Sequence, residues 1–270
     1  VHPARRRTPG LRLLLLTTLA LLAPTVPGPA DAAPAGTAGT ATGTFFWANA
    51  WAAHHTAARG ASSGPARMRR LVRLVERHGV ALGALAEVER SQVAAFERSA
   101  PTYRMLTGGR GESTAVFWDE TDYDLVEAYR FRSFTYGGRG LRVPVVVLRH
   151  RATGHRLAVI SVHDPRDRWR DRALGRELEE VRRVRRAYGG RITVFVAGDF
   201  NAGASVACRA HRVGLFSVGN RSCRRSSPID QLLVDRDVRV DGYRSIPRRR
   251  AGHVTDHPAV YRARFAVPTT

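Results

Sequence analysis

The stretch Val196-Ala-Gly-Asp-Phe-Asn201 continues the apolar run that starts at Ile192 and closes it with a glycine, a carboxylate and a carboxamide inside four residues. A short run of β-branched and aromatic residues reads as a buried strand. Just past a strand the chain can hold polar groups on a rigid support, which is where sheet proteins mount their chemistry. The same punctuation recurs elsewhere. Thr44-Phe-Phe-Trp-Ala-Asn49 ends at a carboxamide, Val80 to Val88 carries Glu87 near its end, and Leu157 to His163 ends on an imidazole. Ile229 to Val234 opens with Asp230, and Asp256-His257 precede a last strand over Pro258 to Phe265. Any one of these is commonplace; the repetition of one rule calls for a common cause.

Between these strands the pattern alternates with helices. Arg67 to His78 places Met68, Leu71, Val72 and Val75 at helical spacing, with Gly79 to stop it. Ser91 to Arg98 reads as a short helix capped by Ser91, with Pro101 past its end. Ser113 to Trp118, Tyr123 to Phe131, Val143 to Arg149 and Leu157 to His163 read as successive strands, the last two joined by a turn at Thr153-Gly154. Arg172 to Tyr188 is amphipathic, with Leu174, Leu178, Val181 and Tyr188 on one stripe and Glu179 and Arg183 paired four residues apart. Its arginines read most simply as a solvated face, with nucleic-acid contact the alternative. No internal repeat is visible.

Composition sets the frame. Residues 1–32 have the form of a secretory signal: Arg5, Arg6, Arg7 and Arg12 make a basic region, Leu13 to Ala23 an apolar one, and Ala30-Asp-Ala32 a cleavage pattern. That apolar run is shorter than the roughly 20 residues a membrane span needs. Residues 33–43, rich in Ala, Gly, Thr and Pro, read as a disordered linker, and 44–270 as one large domain. An exported chain is expected to oxidise its two cysteines, Cys208 and Cys223, into a clip on one loop. The formal charge is +21; without the +3 of residues 1–32 it is +18. All 44 basic residues are arginine, as a G+C-rich coding bias produces, yet that bias leaves the excess over 23 acidic residues unexplained. Such a surface suits a polyanion: nucleic acid, acidic glycan or anionic lipid.

The ordered set of strand-end residues resembles the endonuclease/exonuclease/phosphatase superfamily. Asn49 in FWAN, Glu87 in LAEV, His163 in ISVHD, Asp199 and Asn201 in GDFN, Asp230 in IDQLL, and Asp256-His257 in TDHPAV match its motifs in family order. Ala86, Asp164 and Gln231 depart from it, the first where Gln is common, the second where Leu is usual, the third where an aromatic is usual. The carboxylate after His163 is expected to alter that histidine's position or basicity. The resemblance implies an α+β fold, a four-layer α/β/β/α sandwich of two mostly antiparallel sheets with flanking helices.

It also implies a metal-dependent phosphoric-ester hydrolase. Glu87 would be the main metal ligand, with Asn49 and Asp256 beside it, for Mg²⁺ or Mn²⁺, a structural Ca²⁺ being left open. Asp199 would orient or deprotonate the attacking water and Asn201 would donate to the phosphate, with Gly198 letting the backbone approach the substrate. Asp230 would fix and charge His257, while His163 would stabilise charge from the other side. Arg139 and Arg142 are the candidate phosphate contacts. The expected activity is that of a secreted, monomeric nuclease acting on DNA, with RNA left open as a further substrate. The alternatives are a lipid or small-molecule phosphoesterase and a catalytically silent arginine-rich protein that adheres to polyanions.

Overall fold

Alternation along the strands decides which way each apolar side chain is buried. The computed structural model describes residues 39–55, 61–109, 111–219 and 228–268. In β1 (Thr40–Asn49), Phe45 and Trp47 enter one apolar cluster while Phe46 and Ala48 enter another on the opposite face. Leu232 and Val234 of β10 (Asp230–Asp235) likewise face the first cluster, and Leu233 a third. The first cluster is therefore the filling between two sheets, and the other two lie under helices.

One sheet has the order β11 (Arg239–Pro247), β12 (Ala259–Pro268), β1, β2 (Leu82–Val88), β4 (Ser113–Asp119), β3 (Tyr103–Thr107). The other has the order β5 (Tyr123–Phe134), β6 (Gly140–His150), β7 (Arg156–His163), β8 (Thr193–Asp199), β10, β9 (Leu215–Ser217). Each sheet is antiparallel except at its centre, where β1 runs parallel to β2 and β7 to β8. Parallel neighbours need a crossover. Helix α1 (Gly64–Arg77) lies between β1 and β2 in the chain, and α3 (Arg170–Ala187) between β7 and β8. With α2 (Arg90–Ser99) and α4 (Ala204–His211) they cover the two outer faces. This is the expected four-layer sandwich.

Several local expectations shift. The strand begins at Thr40, not after a linker ending at residue 43, because Thr40–Gly43 pair with Pro268–Phe265 of β12. The expected signal and the rest of that linker lie outside the described residues. Helix α2 starts one residue before Ser91: Glu89 is its N-cap, in a reciprocal box with Gln92. The span read only as a cysteine-clipped loop contains α4 and β9; Cys223 lies outside the described residues. Arg183 bonds Glu180, which also accepts from the Tyr129 hydroxyl, in place of the expected Glu179 pairing. Among the described residues no helix is long and apolar enough to cross a membrane.

The glycine of the GDFN turn has a structural task. Gly198 has φ 146°, and a Cβ there would sit 2.0 Å from the Val162 carbonyl oxygen of the neighbouring strand. It therefore serves the close approach of β7 and β8, a structural need beside the substrate approach expected from the sequence. Gly198→Ala is expected to cost about 3 kcal/mol in a chemical-denaturation measurement, as backbone overpacking does.

Candidate active site

Register assembles the first group of residues. His163 of β7 and Asp230 of β10 both stand opposite Asp199 of β8, so one rung of the sheet carries an imidazole and two carboxylates. From the facing sheet, Asn49 ends β1, and Glu87 sits where the β2–β4 register slips between Leu85 and Val88. A bulge of this kind re-aims a side chain at a strand end. Glu87 has φ 55°, and Trp51 and Asn201 have φ 54° and 47°. Non-glycine residues in the left-handed region are uncommon and strained. Three of the four among the described residues stand at this sheet edge.

The side chains meet at Asn49, which is fully buried. Its Nδ2 donates to Glu87 Oε1 at 2.8 Å and Asp199 Oδ2 at 3.4 Å, and lies 3.2 Å from His257 Nε2. Its Oδ1 accepts from the Trp51 backbone N–H. The carboxamide thus presents hydrogen to both carboxylates and holds them together at the place expected for the metal. Glu87 Oε2 also accepts from the Ala52 N–H. Burial raises the Glu87 pKa, but these donors and the neighbouring His163 and His55 outweigh it and hold the carboxyl below its usual range.

His257 and Asp230 form a buried dyad, with Nδ1 2.6 Å from Asp230 Oδ2. Burial alone would lower the imidazole pKa; the Asp230 hydrogen bond and the charges of Asp230, Asp199 and Asp256 instead raise it to about 9. Burial pushes Asp230 up to about 6 against the pull of that same bond. The ring is the more basic partner, so at neutral pH it carries the proton and Nδ1–H donates to the carboxylate. Nε2 is then free to point its hydrogen toward Asp199 Oδ2, 3.5 Å away.

Asp199 is buried; its Oδ1 accepts from the Asn201 backbone N–H, and its Oδ2 lies 3.6 Å from His163 Nε2. Asn201 spends one amide hydrogen on the Asp164 carbonyl and accepts from Arg166 Nε at 2.9 Å. Gln231, the substitute for an aromatic, donates to the Ala202 and Gly203 carbonyls and so ties down the loop behind Asn201. Asp164 does not crowd His163: its carboxyl is buried toward Glu177 of α3.

A cleft of about 550 Å³ opens over this edge, lined by Glu87, Glu112, His163, Asp256, Tyr136, Arg139 and Arg166 among others. Asp256 Oδ1 is buried with no protein partner. An unpaired buried carboxylate oxygen in the cleft that Glu87 also lines suits a hard divalent cation. Arg139 reaches the cleft as expected, whereas Arg142, exposed on β6, does not line it. The sequence reading missed Arg166, Glu112 and Tyr136. Arg166 stands in the DPRDR segment just after His163, and that proximity was the available signal. Glu112 and Tyr136 come from loops with no such marker.

The sequence matches the family described as "Endonuclease/Exonuclease/phosphatase family" over residues 46–257. No curated protein sequence matches the chain. Among solved structures, an endonuclease/exonuclease/phosphatase family protein from Bacteroides thetaiotaomicron is similar at 16% identity and TM-score 0.70, covering 86% of this chain and 97% of its own. A mannosyl-6-phosphatase of the same organism is similar at 16% and 0.66, covering 83% and 99%. TDP2 of D. rerio, complexed with a single-strand DNA product, is similar at 14% and 0.61, covering 83% and 98%. At these identities the likeness is one of fold.

The Asp164–Glu177 pair gives a stability signature. Burial and mutual repulsion raise Asp164 well above its usual range, and burial raises Glu177 to about 7, eased by the Ser133 hydroxyl. A carboxyl whose folded pKa is raised stabilises fully below its unfolded value near 4.5 and loses that contribution as pH rises through about 7. The melting temperature is expected to fall between pH 5 and about 7.5. In Glu177→Gln the fall is expected to be shallower; an unchanged slope would remove this pair as its cause.

Proposed function

The chain belongs to the endonuclease/exonuclease/phosphatase family, a family of metal-dependent phosphoesterases, and from that premise we propose that it is a nuclease hydrolysing DNA, and RNA as a second substrate, with Mg²⁺ or Mn²⁺. The observation that carries the reading is the convergence of Glu87, Asp199 and the His257–Asp230 dyad around Asn49, beneath a cleft rimmed by Arg139 and Arg166. A divalent cation held by Glu87 and Asp256 would draw charge from the phosphoryl oxygens. The chain's own groups supply the rest. Asp199, fixed by Asn201 N–H, orients a water and takes its proton as the water attacks phosphorus and the bond to the sugar oxygen on the far side breaks, that oxygen leaving with a proton from solvent. The His257 imidazolium and His163 face the same phosphate and stabilise the charge that grows on its oxygens. The second amide hydrogen of Asn201 is left for a phosphate oxygen.

The charge and the rim favour a polymer over a small ester. The +18 that remains without residues 1–32 attracts polyanions. Tyr136 is 38% exposed at the cleft, its ring edge-on to His163, and offers a face on which a base can stack. The fold is shared with a mannosyl-6-phosphatase, so a phosphomonoester is the competing small substrate. Residues 1–32 support export, which makes extracellular nucleic acid the natural target.

Plasmid and single-stranded DNA, RNA, sphingomyelin and a sugar phosphomonoester, each assayed with Mg²⁺ and with chelator, distinguish these readings. Nicking of DNA that vanishes with chelator is the expected result. Cleavage of the lipid or the monoester alone would transfer the assignment to a small-ester phosphoesterase, and salt-sensitive binding without turnover would leave a polyanion-adhesive protein. Asp199→Asn and His257→Ala are each expected to lower kcat roughly 10²–10⁴-fold. With His257 charged below about 9, the wild-type rate should fall as pH rises past that value. The residual rate of His257→Ala should lack that alkaline limb.

A further inference from the structure

At the wall of the same cleft, which His55 and Glu112 line, lies a second group of ligating side chains that the hydrolytic reading does not use. His54 and His55, in a short 3₁₀ turn (Ala53–His55) past β1, face Glu112, which lies on the loop before β4. Glu112 Oε2 is 3.8 Å from His54 Nε2 and 3.7 Å from His55 Nε2. These gaps exceed hydrogen-bond reach. Two metal–ligand bonds of about 2 Å each span them. The three donor atoms all lie within 4.8 Å of one another.

A support stands behind the first ligand. His54 Nδ1 is bonded to Glu89, the residue that caps α2. A carboxylate on the far ring nitrogen fixes the tautomer and turns the Nε2 lone pair outward, as supporting partners of metal-bound histidines do. The His54 and His55 side chains are 54% and 46% exposed, and Glu112 is 32% exposed, so positions remain for water or a substrate group. Two imidazoles and one carboxylate favour a borderline transition ion, whereas the oxygen donors at Glu87 and Asp256 favour a hard one.

We propose that His54, His55 and Glu112 form a second divalent-cation site, of the zinc class, with Glu89 orienting His54. Glu112 also stands within 4.8 Å of Glu87 and His163, whereas His54 and His55 belong to this site alone, and the site does not depend on the nuclease assignment. Glu112 Oε1 also lies 3.9 Å from His163 Nδ1, so a bound ion would draw on a carboxylate that borders the hydrolytic residues.

The test is a Co²⁺ titration of the tag-free, metal-stripped chain in excess Mg²⁺, followed by visible absorption and by metal content after gel filtration. One equivalent of Co²⁺ that Zn²⁺ displaces and Mg²⁺ does not is expected. His55→Ala and Glu112→Gln should each weaken it at least about tenfold, Glu89→Gln about tenfold, and Glu87→Gln should leave it in place. Circular dichroism and melting temperature report that each variant is folded, and the half-exposed His55 provides the variant least able to disturb the fold. No retained Co²⁺, retention unaffected by His55→Ala and Glu112→Gln, or loss only in Glu87→Gln would each overturn the proposal.

Discussion

Three carboxylates and two imidazoles meet at the edge of this sandwich, and the carboxamide of Asn49 stands between them. Its Nδ2 faces Glu87 on its own sheet, Asp199 on the opposite sheet, and His257 on the approach to β12. Like charges gathered in a poorly solvated place repel, and each hydrogen bond to a charged group contributes about 1.5–3 kcal/mol against that. One side chain cannot give its two amide hydrogens to carboxylates on two different sheets unless its own position is fixed. That is the task of the Trp51 N–H on Asn49 Oδ1, and of the two residues that hold the Trp51 carbonyl. Arg67 of α1 and Gln92 of α2 both donate to it, and Gln92 also holds the Ala50 carbonyl. The helices on one outer face therefore set the geometry at the sheet edge through a single loop.

The same logic separates the roles of the two buried acidic pairs. Asp230 is buried beside an imidazole that becomes charged, so the pair keeps an ion pair in place at neutral pH. Asp164 is buried beside another carboxyl, so that pair must retain a proton to stay where it is. One carboxylate therefore activates a histidine that faces the cleft. The other anchors the chain between His163 and α3, and its backbone carbonyl holds Asn201. Chemistry and scaffold use the same residue type a few ångströms apart, and the neighbour decides which role results.

Much of this was legible from sequence because strand ends carry their own signal. An apolar run with period two predicts a buried strand, and the first polar residue after it falls at the edge, as Asn49, His163 and Asp199 do. Glu87 was found as a residue but not as a bulge: nothing in LAEV announces a left-handed φ there, since the cause is the pairing of β2 with β4. β11 was missed because Asp241-Gly242 inside it reads as a turn, and the structure uses that step as a bulge between Asp241 and Arg244. α4 and β9 were too short to show a period. Arg142 misled because it was read as lying before a strand with Arg139, while it lies inside β6, exposed and outside the cleft. Order within the sheets, which makes His163, Asp199 and Asp230 neighbours, is a long-range property that no local window contains.

The strand order leaves β5 as the outermost strand of its sheet, twelve residues long, with Leu125 and Val126 among the few large apolar side chains in contact with water. A bare edge of that length is a template on which another polypeptide could add itself, the first step toward fibrils. Here the register slips between Leu125 and Glu127, beside those two side chains, and Glu127, Arg130 and Arg132 put charge along the remainder. The irregularity of β5 thus works as a guard against self-templating.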